Sequence, residues 1–261
     1  MKIRTKLSRL TEMGWGLAKL TQAAGTSFYN PHAREAYLRA IREVGVYQRT
    51  PRLRVVDADQ LIDPLVSVRM SCLVSGQWQV SCSELGVINQ LALKHRPQHI
   101  FEIGTFDGRT ALNLHLNCPD ARLTTVDLPP EQQNLPDNKI AGTLIADHVA
   151  QEKIRQIYGN SLTYDFSDYY GGCDFIFIDA GHSYYNAAAD TRTALRLAEG
   201  REAVIIWHDY AEWPGVTRAV EEVPTLLVNP PEVVRIRGTS LAVLVCPPGR
   251  PLEIKREHPT P

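Results

Sequence analysis

Residues 100–110 read IFEIGTFDGRT, an apolar run that ends at two glycines four positions apart, Gly104 and Gly108. Glycine adopts backbone conformations that other residues avoid, and it lets the chain approach a ligand closely. A helical pattern, GRTALNLHL, follows at once. The stretch therefore predicts a buried strand, a tight turn and a helix. In a parallel sheet, such a turn lies at the carboxyl edge, where ligands bind.

The sequence on both sides alternates between strand and helix patterns. Ser83 is the predicted N-cap of a helix that Pro97 ends. The predicted strands are 99–103, 122–127, 154–158, 173–179 and 202–208. The helical patterns between them are 109–117, 139–152, 183–198 and 214–223. This order predicts an α/β fold with a parallel sheet between helices.

Two strand-like runs near the end of the chain, VVRIRG and LAVLVC, are separated by very little sequence. Gly238 ends the first run, and only Thr239 and Ser240 stand between it and the second. A helical crossover needs many more residues, so these runs are predicted to pair as an antiparallel hairpin within residues 232–246.

Composition excludes several classes of function. The chain has 261 residues and a formal net charge of −1, so it has no basic excess for binding nucleic acid. Its five cysteines form no CxxC pair, which argues against a disulfide framework or a zinc site. There is no apolar run long enough for a membrane span, and the basic N-terminus lacks the apolar core of a signal peptide. We therefore expect a cytoplasmic protein.

The sequence predicts three parts: an N-terminal helical extension at 1–79, a main domain at 80–246 and a loose C-terminal tail at 247–261. Two amphipathic helices are predicted before residue 46, the second opening at Asn30 and Pro31. Apolar stripes of this kind need a partner surface, which predicts a homodimer or larger assembly in which the extension mediates contacts or acts as a lid. Contact with an acidic membrane surface is the alternative for the first helix.

The residues around the glycine turn indicate what it binds. The turn reads GxxxG, with Phe106 where a dinucleotide-binding motif has its middle glycine, and this counts against a pyrophosphate. Glu102 can face an ammonium group, and the start of the next helix suits a carboxylate. Asp127 ends the next strand, where a carboxylate suits the hydroxyls of a ribose.

At this point the chain resembles the class I S-adenosylmethionine-dependent methyltransferases, through EIGTFxGRT at 102–110 and IDxxHSY at 178–184. It is most similar to the small-molecule O-methyltransferase branch, with macrolide-sugar and catechol-type relatives. The resemblance covers about residues 80–246 and implies a Rossmann-like, seven-stranded, mostly parallel sheet whose last strand is antiparallel. It also implies S-adenosylmethionine as cofactor. The implied cofactor contacts are Glu102, Gly104, Thr105 and Gly108 at the methionine end, Asp127 at the ribose, Asn160 and Ser161 at the adenine, and Asp179 near the methyl group.

A second cluster follows the next two strands. Asp179 and His182 follow one strand, and His208 and Asp209 follow the other, so all four are expected at the same edge. A histidine can take a proton at neutral pH, and a cation held by carboxylates can activate a hydroxyl. The resemblance implies His182 as base, and Mg²⁺ or Mn²⁺ on Asp179, His208 and Asp209.

His208 stands where relatives carry an oxygen ligand, which disfavours magnesium and leaves the metal open. A hydrogen-bonding role at the sheet edge is the alternative for His208. For His182 the alternative is a local bond to Asp179 at the start of its helix. Aromatic residues nearby either line an acceptor site or pack in the core: Tyr184, Tyr185, Trp207, Tyr210 and Trp213.

Together these features predict methyl transfer to a hydroxyl oxygen of a small molecule, with His182 and Asp179 as catalytic residues. An NAD(P)-dependent oxidoreductase is one alternative, because its fold also places an acid after the second strand. A non-catalytic binding module of the same fold is another, and methylation of nitrogen or carbon also stays open.

Overall fold

The computed structural model describes residues 51–73, 79–133, 140–146 and 153–256, together with positions 21, 22, 25, 29, 30 and 34. The chain divides into two compact units, Met1–Thr50 and Pro51–Pro261. The apolar-striped helices predicted before residue 46 lie almost wholly outside the described residues, so the predicted assembly stays a prediction. Among the described residues, no helix has both the length and the apolar character needed to cross a bilayer.

The described residues of the second unit form one sheet of eight strands, in the order β1-β7-β8-β6-β5-β2-β3-β4. Every neighbouring pair is parallel except those that β8 makes with β6 and β7. The Rossmann-like, mostly parallel sheet with an antiparallel last strand is therefore confirmed. The strands are β1 Arg54–Val56, β2 His99–Ile103, β3 Arg122–Asp127, β4 Ile154–Tyr158, β5 Phe175–Ile178, β6 Val204–Trp207, β7 Val233–Ile236 and β8 Ala242–Val245.

The predicted count of seven strands was one too low. The additional strand, β1, is only three residues long and pairs with β7, with Val55 opposite Arg235. It lies in a stretch with no clear hydrophobic period, and such a short segment gives too few positions for a pattern to be recognised.

Five α-helices lie in the described residues of the second unit: α1 Cys82–His95, α2 Arg109–Asn117, α3 Thr143–Ala146, α4 Tyr184–Leu197 and α5 Pro214–Leu226. The N-cap of α1 is Ser81 rather than the predicted Ser83. Of the helix predicted at 139–152, only α3 is described, and residues 147–152 lie outside the described part.

The sheet is buried on both faces. Ile100 and Ile206 belong to a core cluster with residues of α1 and α2. Their neighbours Phe101 and Ile205 point to the opposite face, because side chains alternate along a strand, and they are buried as well. Phe101 meets Tyr169 edge to face, with ring centroids 5.1 Å apart. Helices and loops therefore cover both faces, which leaves the carboxyl edge as the place for a site.

The predicted domain limits differ from the structure at both ends. The extension was drawn to residue 79, but β1 at Arg54–Val56 already belongs to the sheet. The described part of the tail, 247–256, is docked rather than loose: Leu252 is buried, its N–H donates to the Arg201 carbonyl at 2.8 Å, and Ile254 pairs with Leu227. Leu252 and Ile254 are two positions apart, so in an extended chain both side chains point to the same side and can pack against the domain.

Candidate functional site

The glycine turn brings the end of β2 against the end of β5. Gly104 has φ +98°, and a Cβ there would lie 2.0 Å from the Asp179 carbonyl oxygen. Gly108, the N-cap of α2, has φ +87°, and its Cβ would meet the Ile145 side chain at 2.6 Å. Both positions therefore need glycine, for conformation and for space. The strand, turn and helix predicted from this stretch are confirmed.

Asp127 organises this turn. Its Oδ2 accepts the Thr105 N–H at 2.9 Å and the Phe106 N–H at 2.8 Å, and its Oδ1 accepts the Leu128 N–H at 2.7 Å. Burial raises the pKa of Asp127, while these three bonds oppose the shift. A carboxylate has about four acceptor positions, so Oδ1 keeps one for a ligand. The predicted ribose contact stays a prediction.

Glu102 is a fully buried carboxyl group with one free oxygen. Its Oε2 accepts the Thr125 hydroxyl at 2.5 Å, whereas Oε1 has no partner among the described residues. Burial raises the pKa of Glu102 well above its ordinary value; the Thr125 bond opposes this, and nearby acids strengthen it. The acids are Asp179, Asp127 and Asp107. This concentration of carboxyl groups suits a cationic ligand.

A cleft opens beside these acids. It is lined by Gln79, Val80, Gly104, Thr105, Phe106, Asp107, Arg109, Thr110 and Asp179. The Arg109 guanidinium in the wall of this cleft is buried and donates to the carbonyls of Cys72 and Val80 at 2.6 Å each. The Thr105 hydroxyl bonds to Thr125 at 2.6 Å, so its side chain supports Glu102 from within the protein.

The second predicted cluster also lies together at the carboxyl edge. His182 Nε2 is 2.6 Å from Asp209 Oδ2, and its ring stacks on Trp213 with centroids 4.7 Å apart. His208 Nδ1 is 3.2 Å from Asp179 Oδ1 and 3.4 Å from Asp209 Oδ1. The carboxylates of Asp179 and Asp209 are thus linked through histidine.

The electrostatics follow from these contacts. Burial lowers the pKa of His182, but the bond to Asp209 and the charge of Asp179 outweigh it, so the pKa is raised. Burial likewise opposes charge on His208, yet Asp179, Asp209 and Glu84 raise its pKa well above the ordinary value. Burial alone would raise the pKa of Asp209, but the two histidines have the larger, opposite effect. The pKa of Asp209 is therefore well below its usual range.

The geometry bears on the predicted metal. One potential ligand atom each from Asp179, His182 and Asp209 lies within 4.8 Å of the others. This group differs from the predicted set, which had His208 in place of His182. Both ring nitrogens of His208 face carboxylates, and His182 already holds Asp209 at hydrogen-bonding distance. The predicted set therefore does not fit a cation in this arrangement.

Sequence reasoning missed Glu84, the third carboxylate near His208, whose Oε2 lies 3.5 Å from Nε2. Glu84 Oε1 accepts the N–H and hydroxyl of Ser240 at 2.7 and 2.9 Å, and Oε2 accepts those of Ser81 at 3.0 and 2.6 Å. Ser81 and Glu84 form a capping box at the start of α1. The S-x-x-E spacing was the available signal.

The two residues predicted at the adenine have internal partners. Asn160 Oδ1 accepts the Leu162 N–H at 3.0 Å, which makes it a turn residue whatever else it binds. The Ser161 side chain bonds to Asp190, a buried acid on α4 whose Oδ1 has no described partner. Burial raises the pKa of Asp190 to about 6, with Ser161 opposing the shift.

We expect Asp190→Asn to stabilise the protein at neutral pH. A folded-state pKa of about 6, above the unfolded value of 3.8, means that the native state loses stability as pH rises through this interval. The amide does not ionise. The free energy of unfolding of the variant should therefore exceed that of wild type by about 2–3 kcal/mol at pH 7 and by almost nothing near pH 3.5. Urea unfolding across this pH range measures the difference. A gain that is the same at every pH would contradict the assignment.

Most of the aromatic residues near the cluster pack rather than face an acceptor. Tyr210 bonds to Glu221 at 3.1 Å, Trp207 to Thr191 at 3.0 Å, and Tyr184 to Glu222 at 2.5 Å. The exceptions within this group are Trp213, which stacks on His182, and Tyr185, which is 72% exposed.

Comparisons with known proteins agree with this picture. Residues 101–210 match a family described as a methyltransferase domain. No curated protein sequence matches the chain. One similar solved structure is the SAH-bound methyltransferase PaMTH1 from Podospora anserina: 15% identity, 84% of this chain and 88% of that chain covered, TM-score 0.48. Another is an O-methyltransferase from Bacillus cereus in complex with SAH: 19% identity, 65% and 84% covered, TM-score 0.48. A third is the O-methyltransferase TomG from Streptomyces achromogenes, in complex with SAM: 19% identity, 65% and 82% covered, TM-score 0.46.

The matched stretch contains both features described above. It begins in β2, includes the glycine turn and ends directly after Asp209. Residues 101–210 are therefore similar to a family of methyltransferase domains, which agrees with the resemblance carried by the two sequence motifs.

Proposed function

We propose that this protein binds S-adenosylmethionine at the glycine turn and transfers its methyl group to a hydroxyl oxygen of a small molecule. The observation that carries the proposal is Glu102, a fully buried carboxyl group with an unpartnered oxygen beside three other acids. Such a group is costly to bury without a partner, and a cationic ligand compensates that cost.

The residues of the turn fit the groups of this cofactor. Glu102 would accept from the ammonium group, and the free position on Asp127 Oδ1 would accept from a ribose hydroxyl. Gly104 and Gly108 let the turn close against Asp179 and Ile145, where a Cβ would clash. When bound, the cofactor supplies a methyl group on positively charged sulfur.

His182 is the proposed general base. Its Nε2 is held by Asp209, which leaves Nδ1 to accept the proton of an acceptor hydroxyl. Asp209 stabilises the imidazolium that results, because the charged ring and the carboxylate attract each other. Trp213 fixes the plane of the ring by stacking on it. Oxygen is the favoured acceptor atom because a hydroxyl must lose its proton as it attacks.

Glu102→Gln is expected to separate ligand binding from folding. The amide keeps the bond from Thr125 but removes the charge, so affinity for S-adenosylhomocysteine should fall about 10- to 100-fold, since a hydrogen bond to a charged group contributes about 1.5–3 kcal/mol. The unliganded variant should melt at the same temperature as wild type or higher, because it no longer buries an ionisable acid. Calorimetry and thermal melting measure the two effects.

Asp174→Asn is the matched control. Asp174 is also buried, but it accepts the Gln98 and His99 N–H groups at the start of β2, one strand length from the turn. The Asp174→Asn variant should bind S-adenosylhomocysteine with the same affinity as wild type. Failure of wild type to bind S-adenosylhomocysteine, or preferential binding of NADH in the same assay, would overturn the proposal in favour of the oxidoreductase alternative.

A further inference from the structure

His208 occupies the centre of the second cluster rather than its rim. Its side chain is 11% exposed and lies between three carboxylates, those of Asp179, Asp209 and Glu84. These acids come from three different elements: the end of β5, the end of β6 and the first turn of α1. Three carboxylates this close repel one another strongly unless a positive charge separates them.

Glu84 and Asp209 are each held by contacts that do not involve His208. Four hydrogen bonds from Ser81 and Ser240 fix Glu84. The backbone of Asp209 has φ +61°, and its N–H contacts the Ser240 hydroxyl at 3.3 Å. Ser240 thus links Glu84 to Asp209 through contacts that do not involve the His208 imidazole.

The contacts of His208 are ionic in character. Its nitrogens lie 3.2–3.5 Å from the carboxylate oxygens, but none of these contacts has the angles of a well-formed hydrogen bond. A positive charge does not need such angles, since its attraction to an acid depends mainly on distance.

We propose that His208, held by Glu84, takes the place of a divalent cation between Asp179 and Asp209, so that this protein needs no metal to keep the two acids together. The catalytic role of this arrangement rests on the proposed function, whereas binding of a cation can be tested independently of that function. Mg²⁺ prefers oxygen ligands about 2.1 Å away, and His208 Nδ1 already lies 3.2 Å from the Asp179 carboxylate and 3.4 Å from that of Asp209, which an ion would have to contact together.

Manganese binding tests this directly. The full-length protein, freed of metal with a chelator and dialysed, is titrated with MnCl₂ and free Mn²⁺ is followed by electron paramagnetic resonance. Wild type should show no saturable site. His208→Asp, which removes the ring and adds an oxygen ligand, should gain one saturable site per chain.

Stoichiometric Mn²⁺ binding by wild type that is lost in Asp179→Asn would overturn the proposal, because the cluster would then be a metal site. Absence of a gained site in a folded His208→Asp would overturn it too. Circular dichroism checks folding, and His208→Asn, which keeps a donor and adds a neutral oxygen, serves if the charged variant does not fold. S-Adenosylhomocysteine calorimetry on the same wild-type sample tests the proposed function separately.

Discussion

His182→Ala should lower turnover by roughly 10²–10⁴-fold while affinity for S-adenosylhomocysteine stays within about twofold of wild type. The imidazole is the group that accepts the proton in the proposed reaction, and Asp209 holds it at 2.6 Å. Removing it leaves the glycine turn, Glu102 and Asp127 intact, so ligand binding should persist. Release of S-adenosylhomocysteine from a panel of hydroxylated small molecules measures turnover.

His95→Ala is the matched control for this experiment. His95 ends α1, at the far end from the capping box and the second cluster, so its loss should leave turnover unchanged. Full activity in His182→Ala would remove this histidine as the base. Loss of ligand affinity together with activity would instead indicate that the variant has disturbed the turn.

Gly104→Ala should abolish measurable binding of S-adenosylhomocysteine and strongly destabilise the fold. The methyl group would lie 2.0 Å from the Asp179 carbonyl oxygen, so the end of β2 must move away from the end of β5. That movement separates Glu102 from the other acids. We expect a loss of stability of at least about 3 kcal/mol, which combines steric strain with an unfavourable φ.

Gly200→Ala isolates the conformational part of that cost. Gly200 also has a positive φ, +74°, but an added Cβ would meet nothing within 4 Å. Its substitution should cost about 1–2 kcal/mol and leave ligand affinity unchanged. Urea unfolding compares the two variants, and equal losses in both would show that the contact with Asp179 has no effect.

The sequence contained most of the information needed for the central part of the fold. The boundaries of β2, β3 and β4 match the predicted ranges, because the apolar positions of these strands form recognisable patterns bounded by turn residues or helical sequence. The hairpin of β7 and β8 was recognisable because its connection is too short for any other arrangement.

Other features could not be read from local patterns. β1 is three residues long, and its partner β7 lies about 180 residues away, so nothing nearby in the sequence indicates the pairing. The docking of Leu252 likewise depends on the distant carbonyl of Arg201. Both are tertiary contacts, for which the local sequence sets few constraints.

The location of the candidate site was predictable from the sequence, but the contacts between its side chains were not. Parallel strands end at the same edge of a sheet, and this alone predicts that the residues following the two strands lie close together: Asp179, His182, His208 and Asp209. Which carboxylate each imidazole meets depends on side-chain directions and on Glu84, which comes from a helix before the first motif. Asp127 was expected to face a ligand, yet most of its hydrogen bonds support the backbone of the turn.

The position of β8 has a consequence for synthesis of the chain. β8, the last of the described strands along the sequence, lies between β6 and β7, so β1 and β7 have no strand connecting them to the rest of the sheet until it is made. Ser240, which precedes it, ties Glu84 to the backbone of Asp209. A nascent chain that ends before residue 240 therefore lacks the hydrogen bonds through which Ser240 links Glu84 to Asp209. The last connection of the second cluster thus depends on synthesis of the segment that leads into β8.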